Sequence, residues 1–164
     1  MQTLYTIGYG AWPADARAAR LVAALRTAGV RTLVDIRHSP CASNLDPKNP
    51  YGPREWHLQS GDRGIVPLLF GYGIEHRWMV ELGNPQKTDP AMQVLLQHVE
   101  SGSSDFPVNR GLELLNTMVA GGEGGPYCLL CACARFDGCH RSVVARALQQ
   151  RFLPGKLAIV DLNP

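Results

Sequence analysis

The sequence predicts a single α/β domain, built as three α/β/α layers around a mostly parallel sheet of about five strands. Its 164 residues fit one domain and leave no room for a second large core. Short apolar, β-favouring runs alternate with segments of helical periodicity along nearly the whole chain. A strand, a helix and a second strand fill about the first 36 positions, and parallel strands need such a crossover. We therefore expect one domain over residues 1–164.

The first elements are a strand, a helix and a second strand. Residues 4–7 form a short apolar run that ends at Gly8-Tyr9-Gly10. A helix is predicted from Ala14, because apolar residues follow at three- and four-residue spacing, and Gly29 is a natural stop. Residues 32–36 are mostly apolar without alternation, which is typical of a strand buried on both faces.

The rest of the chain continues the alternation after a long loop. Residues 38–63 are rich in Pro and Gly and lack periodicity, which predicts a long loop of functional type. The elements predicted beyond it are helical turns at 65–70, a strand at 74–80, helices at 91–99 and 108–119, a strand at 127–134, a helix at 140–151 and a strand at 157–162. Ligands of such sheets bind outside the carboxyl ends of the strands, which selects the loops at 8–10, 37–39 and 133–141.

Composition excludes some classes of protein. Sixteen Lys and Arg against 14 Asp and Glu leave a formal charge of +2, which does not support binding of duplex DNA through bulk charge. No apolar run approaches the ~20 residues of a membrane helix, so no membrane association is expected. The first residues lack a secretory signal and the five cysteines are odd in number. Both observations predict a cytoplasmic protein with free thiols.

Four motifs lie in order along the chain: Thr6-Ile7-Gly8, Leu33-Val34-Asp35-Ile36-Arg37 with Pro40 following, Glu81-Leu82-Gly83, and Leu130-Cys131-Ala132 leading to Cys139-His140-Arg141 with Val144-Ala145. Their order and spacing resemble those of the uncharacterised domain-of-unknown-function family 488. The Cys-His-Arg segment is the most specific. The resemblance implies a small three-layer α/β domain of bacterial type and supplies no reaction. Many members carry an acidic residue soon after the strand cysteine, where this chain has Cys133.

The segment Cys139-His140-Arg141 predicts an anion site. It opens a helix, whose free N–H groups and dipole favour a negative ligand, and Arg141 can add two hydrogen bonds to a phosphate or carboxylate. Arg37 ends a neighbouring strand and could reach the same point, beside the loop of Gly8 and Tyr9. The alternative is that one arginine pairs with Asp35 and the other binds nearby carbonyls as scaffold.

The cysteines allow three interpretations, and the primary expectation is a site without a cofactor. Cys131, Cys133, Cys139 and His140 form Cys-x-Cys-x5-Cys-His, whose donors suit zinc. Against zinc, structural sites usually use Cys-x2–4-Cys pairs, and adjacent Cys139 and His140 are expected to diverge. Cys139 or Cys131 could instead be a nucleophile beside His and Arg. Buried cysteines also pack simply as small apolar residues.

Asp35 and His38 flank the end of the second strand. Asp35 is either buried and paired, or a general base with His38 as its titrating partner. The resulting functional prediction is a hydrolase or transferase acting on a nucleotide, a sugar phosphate or an exposed single-stranded nucleic acid. Arg37 and Arg141 would hold the anion, His140 or His38 would move protons, and Cys131 or Cys139 would be the nucleophile. The alternative is a non-catalytic binding or regulatory module, and a homodimer is possible in either case.

Overall fold

One all-parallel sheet of five strands forms the centre of the protein. The computed structural model describes residues 1–37, 64–86, 89 and 91–163, so the loop predicted at 38–63, with His38, lies outside the described residues. The strands are β1 (Gln2–Gly8), β2 (Thr32–Asp35), β3 (Glu75–Trp78), β4 (Tyr127–Cys131) and β5 (Leu157–Asp161). Their order across the sheet is β3-β2-β4-β1-β5. The predicted α/β domain with a parallel sheet is confirmed.

Within the described residues, five α-helices connect the strands. They are α1 (Arg17–Thr27), α2 (Ile65–Phe70), α3 (Gln93–Ser101), α4 (Pro107–Gly121) and α5 (His140–Arg151), with 3-10 turns at Ala14–Ala16 and Val80–Leu82. Two of the predicted boundaries differ from the structure by three residues. The first α-helix begins three residues late, because a 3-10 turn follows Pro13. β4 ends at Cys131 rather than 134, where its ladder with β1 also ends, at Gly8.

The helices cover both faces of the sheet. On one face α1 and α2 pack against Ile7, Leu33 and Leu130. On the other face α3, α4 and α5 pack against Leu4 and Leu129. Alternate strand residues thus enter two separate apolar cores, as expected for strands buried on both sides. No helix in the described part of the chain is long and apolar enough to cross a membrane.

The connections that follow the neighbouring strands β1 and β4 run to opposite faces of the sheet. β1 leads to α1 on one face, and β4 leads to α5 on the other. Such a point, where connections from adjacent strands diverge, opens a crevice at the carboxyl edge of the sheet. The last residues of the β1–β4 ladder, Gly8 and Cys131, lie opposite each other there. The fold therefore places three cysteines of the β4–α5 connection beside the natural ligand-binding position.

Candidate metal centre

Cys131, Cys133, Cys139 and His140 converge at the end of β4. Cys131 is the last residue of β4, and Cys139 is the residue before the first turn of α5. Cys139 has an extended backbone (φ −110°, ψ 147°), whereas His140 begins the helix. This change of backbone conformation turns the two side chains toward one another, and Cys139 Sγ lies 3.9 Å from His140 Nδ1. The expectation that these neighbours diverge was wrong.

The distances between the donor atoms match a tetrahedral metal site. Cys131 Sγ is 3.4 Å from Cys133 Sγ and 3.5 Å from His140 Nδ1. The four donor atoms of the cluster all lie within 4.8 Å of one another. With Zn–S near 2.3 Å and Zn–N near 2.0 Å, tetrahedral geometry requires about 3.8 Å between sulfurs and about 3.5 Å from sulfur to nitrogen. The residues could therefore hold a metal ion.

The tautomer of His140 suits a metal ligand. Its Nε2 lies 3.0 Å from the carbonyl oxygen of Ile36, just beyond β2. A carbonyl only accepts hydrogen bonds, so Nε2 carries a proton and donates it. In a neutral ring Nδ1 then has its lone pair directed at the thiols. Metal-bound histidines generally hold their second ring nitrogen in this way, which orients the ring and raises its basicity.

The sulfurs have different surroundings. Cys131 and Cys139 are buried, and Cys133 is exposed. The backbone N–H of Cys133 donates to Cys131 Sγ at 3.4 Å, and that of Arg141 donates to Cys139 Sγ at 3.5 Å. Cys128 lies apart, in the apolar core on the α1 face, as the strand alternation predicts. Burial raises the pKa of the Cys128 thiol, which keeps it neutral.

The metal-free cluster holds protons that a cation would displace. Hydrogen bonds with Cys131, Cys139 and His140 lower the pKa of Cys133. Hydrogen bonding to Cys133 and Cys139, together with burial, raises the pKa of Cys131. Burial opposes charge on His140, yet hydrogen bonds with Cys133 and Cys139 outweigh it and raise the pKa of His140 to about 9. Metal binding at neutral pH must therefore release protons from His140 and Cys131.

Arg141 fixes the chain that carries the cluster. Its side chain is fully buried, and Nη1 donates to the carbonyl oxygen of Cys133 at 3.1 Å. Nη2 lies 3.5 Å from Asp161 Oδ1, and neither Nε nor Nη2 has a hydrogen-bond partner among the described residues. A Cβ at Gly8 would lie 1.8 Å from Nη1 and 2.0 Å from the Cys133 oxygen. Gly8, predicted as an anion contact, thus makes room for this arginine and the β4–α5 connection.

Asp35 and Arg37 form a separate buried ion pair. Asp35 accepts hydrogen bonds from Arg37 Nε (2.8 Å) and Nη2 (2.5 Å), and His76 Nε2 lies 3.1 Å from its second oxygen. Arg37 Nη1 also donates to the Tyr9 hydroxyl at 3.0 Å. Burial favours the neutral carboxyl, but Arg37 and His76 outweigh it, so the pKa of Asp35 is lowered. Of the two alternatives for Asp35, the structure shows the buried and paired one. A carboxylate whose pKa is lowered in this way is a weak general base.

Sequence reasoning missed His76, Asp161 and Asn163, which lie at the same edge of the sheet. His76 belongs to the Asp35 ion pair, and Thr6 Oγ1 donates to Asp161 at 2.8 Å. The Asn163 side chain brackets Gly8, accepting from its N–H at 2.6 Å and donating to its carbonyl. Ligands of such sheets bind outside the carboxyl ends of the strands, and the same rule applied to the last strand selects Asp161 and Asn163. His76 had no such signal, because its contact depends on the pairing of β2 with β3.

Comparison with known proteins adds no relative: no protein family, curated protein or solved structure matches this chain. The resemblance to family 488 therefore stays a prediction.

Proposed function

We propose that this is a zinc-binding α/β protein in which Cys131, Cys133, Cys139 and His140 hold one Zn²⁺ at the carboxyl edge of the sheet. The observation that carries the proposal is the convergence of four donor atoms within 4.8 Å, with His140 Nε2 already bonded to the Ile36 carbonyl. Three thiols and an imidazole are the ligands of a known class of tetrahedral zinc sites.

Simple packing does not account for this arrangement. A packing cysteine behaves as a small apolar side chain, as Cys128 does among Ile7 and Leu130. The cluster instead directs polar atoms at one point, and the Ile36 carbonyl fixes the His140 ring through Nε2. Thiolate and imidazole ligands in tetrahedral geometry select zinc or iron over magnesium or calcium. Zinc is favoured over an iron–sulfur cluster, because donor atoms that all lie within 4.8 Å of one another fit a single tetrahedral ion.

Charge balance also favours a metal thiolate centre. Zn²⁺ with three thiolates and a neutral imidazole carries one net negative charge. The fully buried Arg141 guanidinium lies beside the connection and is only loosely paired with Asp161, at 3.5 Å. The start of α5 adds the positive end of a helix dipole at Cys139 and His140. Both features stabilise deprotonated thiols, which metal binding requires.

Metal analysis of the untagged protein, purified without a metal-chelating column, tests the proposal. We expect about one equivalent of zinc, and a Co²⁺-substituted protein with the intense visible bands of tetrahedral thiolate coordination. Cys131→Ala and Cys139→Ala should each weaken metal binding, and the double variant, with one thiol and one imidazole left, should lose the metal. Cys128→Ala is the matched control, a buried cysteine outside the cluster, and should keep it. Less than about a tenth of an equivalent of zinc, with no Co²⁺ uptake, would overturn the proposal because such sites bind tightly.

A second candidate is the anion-binding hydrolase or transferase predicted from the sequence. One observation favours it: Nε and Nη2 of Arg141, near the start of α5, lack hydrogen-bond partners among the described residues. The ligand would be a phosphate, a nucleotide or a single-stranded nucleic acid. Phosphate and nucleotides should then raise the melting temperature of the wild type and leave Arg141→Lys unshifted, since one ammonium cannot replace the guanidinium fork. Equal shifts in both proteins would remove this candidate.

A further inference from the structure

The four ligands of the proposed centre are unequal in their access to solvent. Cys131 and Cys139 are 2% and 1% exposed and His140 is 9% exposed, whereas Cys133 is an exposed residue. Cys133 also lies beyond the end of β4, on the turn that leads to α5. The proposed centre therefore has a single ligand, Cys133, that a molecule from solvent can approach.

The hydrogen bonds on the sulfurs separate Cys133 in a second, independent way. Cys131 Sγ accepts the N–H of Cys133, and Cys139 Sγ accepts the N–H of Arg141. In the described part of the chain, no backbone N–H group donates to Cys133 Sγ. An N–H donor stabilises the charge on a thiolate and makes its electron pair less available. In the metal-bound centre, where the imidazole and the other two thiolates bind the metal and no longer hydrogen-bond to Cys133, Cys133 is thus both the most accessible sulfur and the one that no backbone N–H stabilises.

We propose that Cys133 is a reactive thiolate that accepts an alkyl group from a small carbon electrophile with an anionic leaving group. This inference rests on the proposed zinc centre, because a thiol that coordinates the metal is deprotonated outright. The Cys133 Sγ electron pair forms the S–C bond, the bond from carbon to the leaving group breaks, and that group departs with its electron pair. No proton moves. The product is a thioether, and the net charge of the centre rises from −1 to zero.

The remaining ligands explain why the centre survives this reaction. Cys131, Cys139 and His140 are buried, and Ile36 still holds the imidazole through Nε2. Two thiolates and one imidazole are a sufficient protein ligand set for zinc, with a fourth position open to solvent. The alkylated protein should therefore keep its metal. The same reasoning applies to Cys133→Ser, which should bind zinc more weakly than the wild type without losing it.

Limited alkylation of the zinc-loaded, full-length protein with iodoacetamide tests the inference. The site of the first adduct is found by peptide mass spectrometry, and zinc is measured in the same sample. We expect the first adduct on Cys133, at least about ten-fold ahead of Cys131 and Cys139, with about one equivalent of zinc retained. At pH 7 the rate should exceed that of glutathione about ten-fold, because only a few per cent of a free thiol is ionised there. Cys133→Ser should lack this adduct, and Cys128→Ala should show it unchanged.

The outcomes distinguish the two proposals. A protein without zinc before alkylation overturns the zinc centre itself. A zinc-loaded protein whose first adduct is on Cys131 or Cys139 overturns only the inference about Cys133. Reaction of Cys133 no faster than glutathione also overturns it, because the thiol is then accessible without being activated. Loss of zinc on single alkylation would overturn the inference as well, because the three buried ligands would then not be sufficient to keep the metal.

Discussion

The substitution Gly8→Ala tests whether the end of β1 supports the metal centre. In the structure, a Cβ at Gly8 would lie 2.0 Å from the backbone oxygen of Cys133, far inside the 3.0 Å that real Cβ contacts respect. The Cys133 carbonyl must therefore move by about 1 Å, since a backbone atom cannot rotate away as a side chain can. Arg141, whose Nη1 would be 1.8 Å away, must leave its hydrogen bond to that carbonyl. Overpacking of this kind costs about 1–3 kcal/mol, and we expect the upper end.

Two measurements give the outcome of this substitution. Urea denaturation should show the free energy of unfolding reduced by about 3 kcal/mol, as a shift of midpoint without a change of slope. A competition assay with a zinc chelator should show zinc affinity reduced by about 10–100-fold, as for loss of an outer contact of a metal site. Gly121→Ala is the matched control. Its Cβ has no neighbour within 4 Å at the end of α4, so stability should rise by about 0.5–1 kcal/mol. If the free energy of unfolding of Gly8→Ala lies within about 0.5 kcal/mol of the wild-type value, and zinc affinity is unchanged, the described packing of Gly8, Arg141 and Cys133 is wrong.

Three further predictions follow from the buried charges and the cluster. Asp35→Asn should lower the free energy of unfolding by about 3–5 kcal/mol in urea denaturation, because Arg37 would stay buried without its counter-charge, and a change below about 1 kcal/mol would contradict this. The pKa of Asp35 is lower in the folded protein than the ordinary carboxyl value of about 4, so its ionised form stabilises the fold above that pH. This contribution should be lost as pH falls below about 4 and passes the lower folded value. Asp35→Asn should lack that part of the acid transition. Because His140 in the metal-free cluster has a pKa of about 9, apparent zinc affinity should weaken as pH falls from 9 to 6, and calorimetry in buffers of different ionisation enthalpy should detect proton release. An affinity independent of pH over that range would exclude His140 as a ligand.

Local pattern determined much of the fold. The alternation of apolar runs with helical stripes predicted a parallel sheet with helices on both faces, and the carboxyl-edge rule selected the loop that carries the cluster. Period-two alternation also separated Cys128 from Cys131, and the structure places Cys128 in the core on the α1 face. These features depend on residues close in sequence, and local periodicity is what a sequence displays.

The convergence of the cluster was decided by the tertiary structure. Neighbouring Cys139 and His140 meet because one residue is extended and the next is helical, a change of backbone that spacing alone did not show. The acceptor that holds His140, the Ile36 carbonyl, comes from the residue just after β2, more than one hundred positions earlier in the chain. It reaches the cluster because β4 inserts between β1 and β2 in the sheet.

The roles of the two arginines separate the contribution of the sequence from that of the tertiary structure. The sequence by itself predicted that Arg37 and Arg141 lie at the same edge of the sheet, since both follow predicted strands. In the tertiary structure Arg37 pairs with Asp35, whose other partner is His76. Arg141 instead donates to the Cys133 carbonyl beside Gly8. The physical reason is that strand order and register decide which side chains share a buried space, and both arise from contacts between distant segments.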